Sequence, residues 1–278
     1  MWFDPDGIDT LVQIGGLIRF SLPTEGGFQT NPDRHADKLA LLYAPKRMEQ
    51  RFRYFETICL PTLKNQTDKD FRVGVVVGES LPAQYRRRLE ALLEDLPQTC
   101  LIEKPIIGHH AAVAQAYNEI FDRKTPLRLT FRLDDDDGLA QDYIAQVRAT
   151  LPHLLALSGG LELKPVCLTF SKGFTLTGPP HNRHFVAAID RAPLSAGLAV
   201  LARAEQKPLV MTIPHMSMKT NMKTIVDPRP FMNLRSLHSS NDSEAVLQPS
   251  RRIALSPSEI GSILHERFRL DMNKLLVI

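Results

Sequence analysis

Four consecutive carboxylates, Asp134-Asp135-Asp136-Asp137, are the residues of this chain best suited to chemistry. They stand in the phrase Arg132-Leu133-Asp134-Asp135-Asp136-Asp137-Gly138. Neighbouring carboxylates a few Å apart repel by roughly 3–4 kcal/mol per pair at an effective dielectric near 20. A divalent cation removes that penalty, and hard cations such as Mg²⁺ or Mn²⁺ prefer oxygen ligands. A cation held by one or two carboxylates commonly completes its shell with substrate phosphates. The bland alternative is a solvated acidic turn that caps the next helix.

The surrounding elements favour the first reading. Leu127-Arg128-Leu129-Thr130-Phe131 alternates apolar with polar residues, the period of a strand. Leu139 to Arg148 has helical spacing. The acidic run therefore lies where a strand ends and a helix begins, the edge at which α/β sheets bind ligands.

Other elements build the sheet that would carry this turn. Leu11 to Phe20 reads as a first buried strand, and Ser21 to His35 as a polar loop. Arg47 to Leu63 reads as a helix with Met48, Phe52, Phe55, Ile58 and Cys59 on one face, and Pro61 ends its regular part. Phe71 to Val77 is a second buried strand, closed by Gly78-Glu79-Ser80. Pro82 opens a helix to about Asp95, and Gln98 to Ile102 is a short strand. His109-His110 would cap the helix Ala111 to Phe121, and another helix runs from Leu139 to Ser158. Strands alternating with helices predict an α/β fold with a mostly parallel central sheet flanked by helices.

The second half is richer in β signals. Val166 to Phe170 and Phe174 to Leu176 read as a hairpin around Ser171-Lys172-Gly173. Phe185 to Ile189 and Leu209 to Ile213 read as strands. Met216 to Asp242 looks irregular and too long for a plain connection, so it is expected to be a lid or a site-forming segment. Ser256-Pro257-Ser258-Glu259 has capping-box spacing and opens a last helix to about Phe268.

The bulk numbers narrow the classes. The 278 residues are 43% hydrophobic and 23% charged, an ordinary globular balance that fits one domain over 1–278. A net charge of +3 suits an anionic ligand or a membrane surface, and no basic block points to nucleic acid. Cys59, Cys100 and Cys167 form neither a CxxC pair nor a zinc spacing, which argues a reducing compartment. No basic n-region opens the chain, and no apolar run reaches the ~20 residues of a membrane helix. The expectation is a cytoplasmic protein, with peripheral association at the inner face of a membrane left open.

Two stretches together resemble a known family. Leu60-Pro61-Thr62-Leu63-Lys64-Asn65-Gln66-Thr67, followed by the strand Phe71 to Val77 and Gly78-Glu79-Ser80, resembles the start of family-2-like glycosyltransferases. Leu129 to Asp137 resembles their hydrophobic strand and Asp-x-Asp motif, with Ala116-Tyr117-Asn118-Glu119-Ile120-Phe121 between. The acidic phrase and Leu234-Arg235-Ser236-Leu237-His238-Ser239-Ser240-Asn241-Asp242-Ser243 are more narrowly similar to a bacterial rhamnosyltransferase family. The first acidic turn departs from the pattern, because a single Glu79 stands there.

The resemblance implies a GT-A fold, with a nucleotide-binding half over 1–158 and an acceptor-side half over 159–278. It implies an enzyme that moves a sugar, rhamnose by the narrower likeness, from a nucleotide-diphosphate donor to a hydroxyl of a saccharide or lipid-linked acceptor. A binding protein that kept the fold and lost the chemistry is the rival. Asp134 would face the donor ribose and Asp136 and Asp137 would hold Mn²⁺ or Mg²⁺; the register of the run is open by one, which brings Asp135 into the nucleotide set. Arg132 would pair with a phosphate or orient the carboxylates. Arg19 would touch the nucleobase or pyrophosphate, Glu79 would accept a base N–H, and Lys219 and Lys223 would steer an anionic donor. His215 and His238 are the candidates to complete the metal shell. Asp242 is the candidate base for the acceptor hydroxyl.

Overall fold

The computed structural model describes residues 11–25, 35–122, 124–159, 163–189, 195–207, 209–238 and 251–278. Val12–Arg19 forms β1, whose side chains divide between two cores. Ile14 and Ile18 enter the larger apolar cluster and Leu17 the smaller one on the other face. β2 (Arg72–Gly78) repeats the pattern, with Val73, Val75 and Val77 on one side and Val76 on the other. A strand apolar on both faces is the mark of a sheet covered by helices on both sides.

The helix α1 (His35–Leu42) precedes α2 (Pro45–Tyr54), which continues through a π-helical turn, Phe55–Cys59, into α3 (Leu60–Lys64). Pro61 therefore sits in the first turn of a renewed α-helix rather than at a helix end. After β2 come α4 (Ala83–Leu93), β3 (Thr99–Lys104), α5 (His109–Ile120) and β4 (Leu127–Arg132). β3, β2, β1 and β4 lie side by side and all parallel. Gly16 allows the close packing here: a Cβ at that position would sit 2.3 Å from the Phe131 ring on the neighbouring strand.

Beyond β4 the sheet changes character. β5 (Gly138–Leu139) is a two-residue strand, so α6 (Tyr143–Leu157) starts later than the spacing predicts. Residues 166–177 form one strand, β6 (Val166–Thr177), not a hairpin. Ser171-Lys172-Gly173 runs straight through, because Gly173 lets the Asn233 side chain lie over the backbone, 2.0 Å from where a Cβ would be. β7 (His184–Ile189) and β8 (Leu198–Arg203) follow. β8 went unread in the sequence. It lies antiparallel between β4 and β6, and the order across the sheet is β7-β6-β8-β4-β1-β2-β3. The central sheet is thus mixed rather than purely parallel: parallel through β3, β2, β1 and β4, with antiparallel strands added beyond β4.

Leu209–Thr212 is a short helix, α7, not a strand. A five-residue apolar run fits either period, and this one packs on the β4–β8 face instead of joining the ladder. Residues 216–238 are not irregular. A 3₁₀ turn, His215–Ser217, and α8 (Met218–Asn221) lead into β9 (Lys223–Ser236), a 14-residue strand. β9 pairs parallel with β6 and antiparallel with β5. Its polar and proline residues hid it: Pro228-Arg229-Pro230 falls where the register shifts between Phe170 and Lys172, the irregularity at which a strand tolerates proline. β10 (Arg252–Ile253) pairs with β7. The capping box at Ser256 and Glu259 opens α9 (Pro257–Ile263), which continues through a π-helical turn, Leu264–Phe268. α10 (Met272–Leu276) closes the chain. Among the described residues no helix is long and apolar enough to cross a membrane.

Candidate functional site

The acidic turn leaves the end of β4, as the alternation there predicts. The turn closes with the Asp137 N–H donating to the Asp134 carbonyl at 3.1 Å. Its four carboxylates each meet different partners. Asp134 is partly exposed and lies 3.6 Å from Arg19 Nη2 and 3.4 Å from Arg132 Nη2. Asp135 is 0% exposed and forms a close ion pair with Arg51 Nη1. Asp136 Oδ2 lies 2.9 Å from His238 Nε2. Asp137 Oδ1 accepts from the backbone N–H of Ser236 at 3.1 Å.

These contacts set the electrostatics. Burial alone would raise the Asp134 carboxyl, but Arg132, Arg19 and Arg51 outweigh it and hold it down at about 2. Burial pushes Asp135 up to about 7 against the pull of Arg51, with Asp136 and Asp134 adding to the rise. Burial and the same like-charged neighbours push Asp137 well up, opposed by Arg235 and the Ser236 N–H. The turn is thus a cluster of crowded carboxyls, one held ionised by arginines and two pushed toward the neutral form.

The α2–α3 helix runs alongside the turn. Arg47, Arg51 and Tyr54 share one face at helical spacing. Arg47 Nη1 donates to Ser21 Oγ at 2.8 Å, just past β1. Ser21 has φ of +49°, an unusual left-handed value for a side-chain-bearing residue, where the chain turns sharply off the sheet edge. Arg51 grips Asp135, and the Tyr54 ring stacks on His238 with centroids 4.3 Å apart. Further along, Thr62 Oγ1 accepts from Leu139 N at 3.3 Å, and Ile58 and Thr62 lie against Gly138. Sequence reasoning missed Arg51 and Tyr54. Their i, i+3 spacing at the edge of the apolar face was visible, but nothing local showed that an acidic turn lies across from it.

The remaining expected residues are placed as follows. Glu79 is exposed past the end of β2 and engages through its backbone, N–H to the Lys104 carbonyl at 3.0 Å. Of the two histidines, His238 reaches an acidic side chain, while His215 lies in the 3₁₀ turn before β9. Lys223 starts β9 and donates to the Leu157 carbonyl at 3.1 Å, and Lys219 is exposed on α8. Asn241 and Asp242 lie outside the described residues. His109 and His110 do not cap α5 with their side chains; Gly108 is the cap residue and the histidines are the first helical positions. His109 Nε2 instead contacts the Met211 carbonyl at 3.2 Å.

Among the described residues no three of His, Cys, Asp and Glu converge as a protein-only metal cage. What stands ready is the Asp136–His238 pair, with Oδ2 of Asp135 buried nearby and lacking a hydrogen-bond partner. Carboxylate oxygens with one imidazole suit Mn²⁺ or Mg²⁺. One or two carboxylates suffice for a cation that shares its shell with phosphates and water. The residues fit a cation bound together with a diphosphate, not one held by protein alone.

Residues 13–249 match the family described as "Putative rhamnosyl transferase". The chain belongs to that family. No curated protein sequence matches it. Among solved structures, residues 1–349 of S. aureus TarS are similar at a TM-score of 0.46 and 11% identity, over 81% of this chain and 60% of that one. The same protein in complex with UDP-GlcNAc gives a TM-score of 0.45 and 10% identity, over 85% and 62%. A "putative nucleotide-diphospho-sugar transferase" from Desulfovibrio desulfuricans G20 gives 0.36 and 10%, over 82% and 81%. The chain thus spans under two thirds of the length of the TarS structures it resembles.

Proposed function

We propose that this member of the rhamnosyl transferase family is a GT-A glycosyltransferase. It moves a sugar, rhamnose by family, from a nucleotide-diphosphate donor to a hydroxyl of a saccharide or lipid-linked acceptor. The observation that carries the reading is the Asp134–Asp137 turn at the carboxyl edge of the parallel strands, with His238 brought to 2.9 Å from Asp136. That is the edge where an α/β sheet receives a nucleotide.

In this reading Asp134, kept ionised by Arg19 and Arg132, accepts from the donor ribose hydroxyls. Arg19 and Arg132 carry positive charge to the pyrophosphate side. Asp135, buried against Arg51, keeps the turn in register. Asp136 and His238 hold Mn²⁺ or Mg²⁺, and Asp137, hung on the Ser236 N–H, fixes the turn against β9. The cation supplies charge neutralisation of the departing nucleoside diphosphate. Asp242 is the base proposed for the acceptor hydroxyl.

The test is calorimetry with UDP, dTDP and GDP, each with Mn²⁺ and with chelator. Asp136→Ala is expected to weaken Mn²⁺-dependent binding at least about tenfold, or 1.4 kcal/mol. Equal binding in chelator, or undiminished binding by the variant, removes the metal role. Donor binding without turnover of any sugar nucleotide would instead mark a binding protein.

A further inference from the structure

We propose that Tyr54 is the positioning residue for His238: its ring sets the plane of the imidazole and so aims Nε2 at Asp136. This deepens the donor-site reading above and rests on it. Tyr54 is 1% exposed, and its ring lies 4.3 Å from the His238 ring at an interplanar angle of 23°. The stack is near parallel, and it restricts the ring rotation that, with χ1, decides where Nε2 points.

His238 needs such a guide. It stands two residues past the end of β9, directly after the Leu237 N–H that donates to the Leu176 carbonyl at 2.8 Å. The Ser236 N–H on Asp137 anchors the backbone just before it, but not the imidazole plane. Tyr54 comes from the opposite side, three residues after Arg51 and at the last position before the π-helical turn Phe55–Cys59. Single π turns are frequent at functional sites, where the extra residue re-aims a helix face. One helix thus holds both neighbours of the turn: Asp135 through Arg51, and Asp136 through Tyr54 and His238.

The ring, rather than the hydroxyl, does this. Tyr54 Oη is buried with no hydrogen-bond partner of normal geometry, and the Arg183 guanidinium packs 5.4 Å from the ring centroid. Phenylalanine keeps the ring and removes only the hydroxyl, whose polar neighbour is the Arg183 guanidinium rather than His238. Phenylalanine at 54 should therefore keep the device, and an aliphatic side chain should lose it.

The experiment compares Tyr54→Phe with Tyr54→Leu. Two readouts are taken: the NMR shifts of the His238 ring protons in the metal-free protein, and calorimetric binding of UDP or dTDP with Mn²⁺ and with chelator. In Tyr54→Leu the His238 ring protons should lose their ring-current shift. Its Mn²⁺-dependent nucleotide binding should weaken by about 10–100-fold, the usual cost of removing a group that orients a metal ligand. Binding in chelator should not change, and Tyr54→Phe should match the wild type in both readouts. Tyr54→Met, aliphatic but similar in length, replaces Tyr54→Leu if that variant does not fold. Unchanged His238 shifts in the aliphatic variant overturn the proposal, as does a Phe variant as weak as Leu. If the wild type binds nucleotides without regard to Mn²⁺, the donor-site reading fails, and the His238 shifts alone still decide the role of Tyr54.

Discussion

The side-chain amide of Gln66 donates to the carbonyl of Ala140, 2.8 Å away and 74 positions along the chain. The same amide donates to the Thr62 carbonyl at 3.0 Å and accepts from the Ile144 N–H at 3.0 Å. Gln66 is 1% exposed. It joins the end of α3 to the segment just past the acidic turn and serves the first turn of α6. Gln66→Leu would orphan the Ile144 N–H, at roughly 1–3 kcal/mol for a buried group, and would leave the Ala140 carbonyl with the Tyr143 N–H as its remaining donor. Thermal unfolding should show Tm lower by about 2–12 °C, given roughly 2–4 °C per kcal/mol at this size. A variant that melts with the wild type would refute this account of the Gln-Thr phrase.

Arg51 and Asp135 form a buried pair, with the Asp135 side chain 0% exposed. Removing one partner leaves a stranded buried charge, a loss of about 3–5 kcal/mol. Arg51→Met and Asp135→Leu should each destabilise strongly, and the double variant should recover much of the loss. Denaturant melts arranged as a double-mutant cycle measure this. Simple additivity of the two losses would show that the pair does not act as a unit.

The carboxylates predict an unusual pH response. Asp135 and Asp137 have folded-state pKa values raised above the ordinary 3.8, by burial first and then by neighbouring carboxylates. A raised carboxyl stabilises the fold in full below its unfolded value and loses that contribution as pH climbs through its folded one, about 7 for Asp135. Asp134, held at about 2, acts oppositely: its contribution is present above 3.8 and fades as pH falls toward 2. The metal-free protein should therefore melt higher near pH 5.5 than near pH 8, and Mn²⁺ with UDP should flatten the difference. A metal-free Tm that climbs steadily from pH 5.5 to 8 contradicts this.

His109 should stay neutral through the physiological range. Burial first, then Arg19, lowers its pKa to about 4, against the Met211 carbonyl contact. The unfolded chain takes up this proton near 6.5 and the folded one only near 4, so stability is lost as pH falls across that window. An NMR titration in which the His109 ring protonates near pH 6.5 would exclude this placement.

Much of the frame was legible. The apolar runs of β1, β2 and β4 do form adjacent parallel strands, and Asp134 stands in the turn beyond them. Ser256 and Glu259 form the capping box that their spacing announces. The errors gather where tertiary pairing overrides local signals. Gly173 looks like a turn residue until Asn233 is seen lying over it. Pro228 and Pro230 read as strand breakers until their place at a register shift in β9 is known. Arg51 and Tyr54 looked like an ordinary polar edge of an amphipathic helix, because their partners are supplied by segments more than 80 residues away.

The Ser236 and His238 contacts bear on how such proteins can be recombined. β9 lies in the later part of the chain, yet it supplies the backbone donor to Asp137 and the imidazole beside Asp136. The parts of the chain before and after residue 158 are therefore not interchangeable cassettes. A graft of everything after α6 from a relative would import a foreign partner for the recipient's own acidic turn. The exchange unit that respects the contacts is discontinuous: α2 with its π turn, the acidic turn with β5, and β9 through His238, moved together.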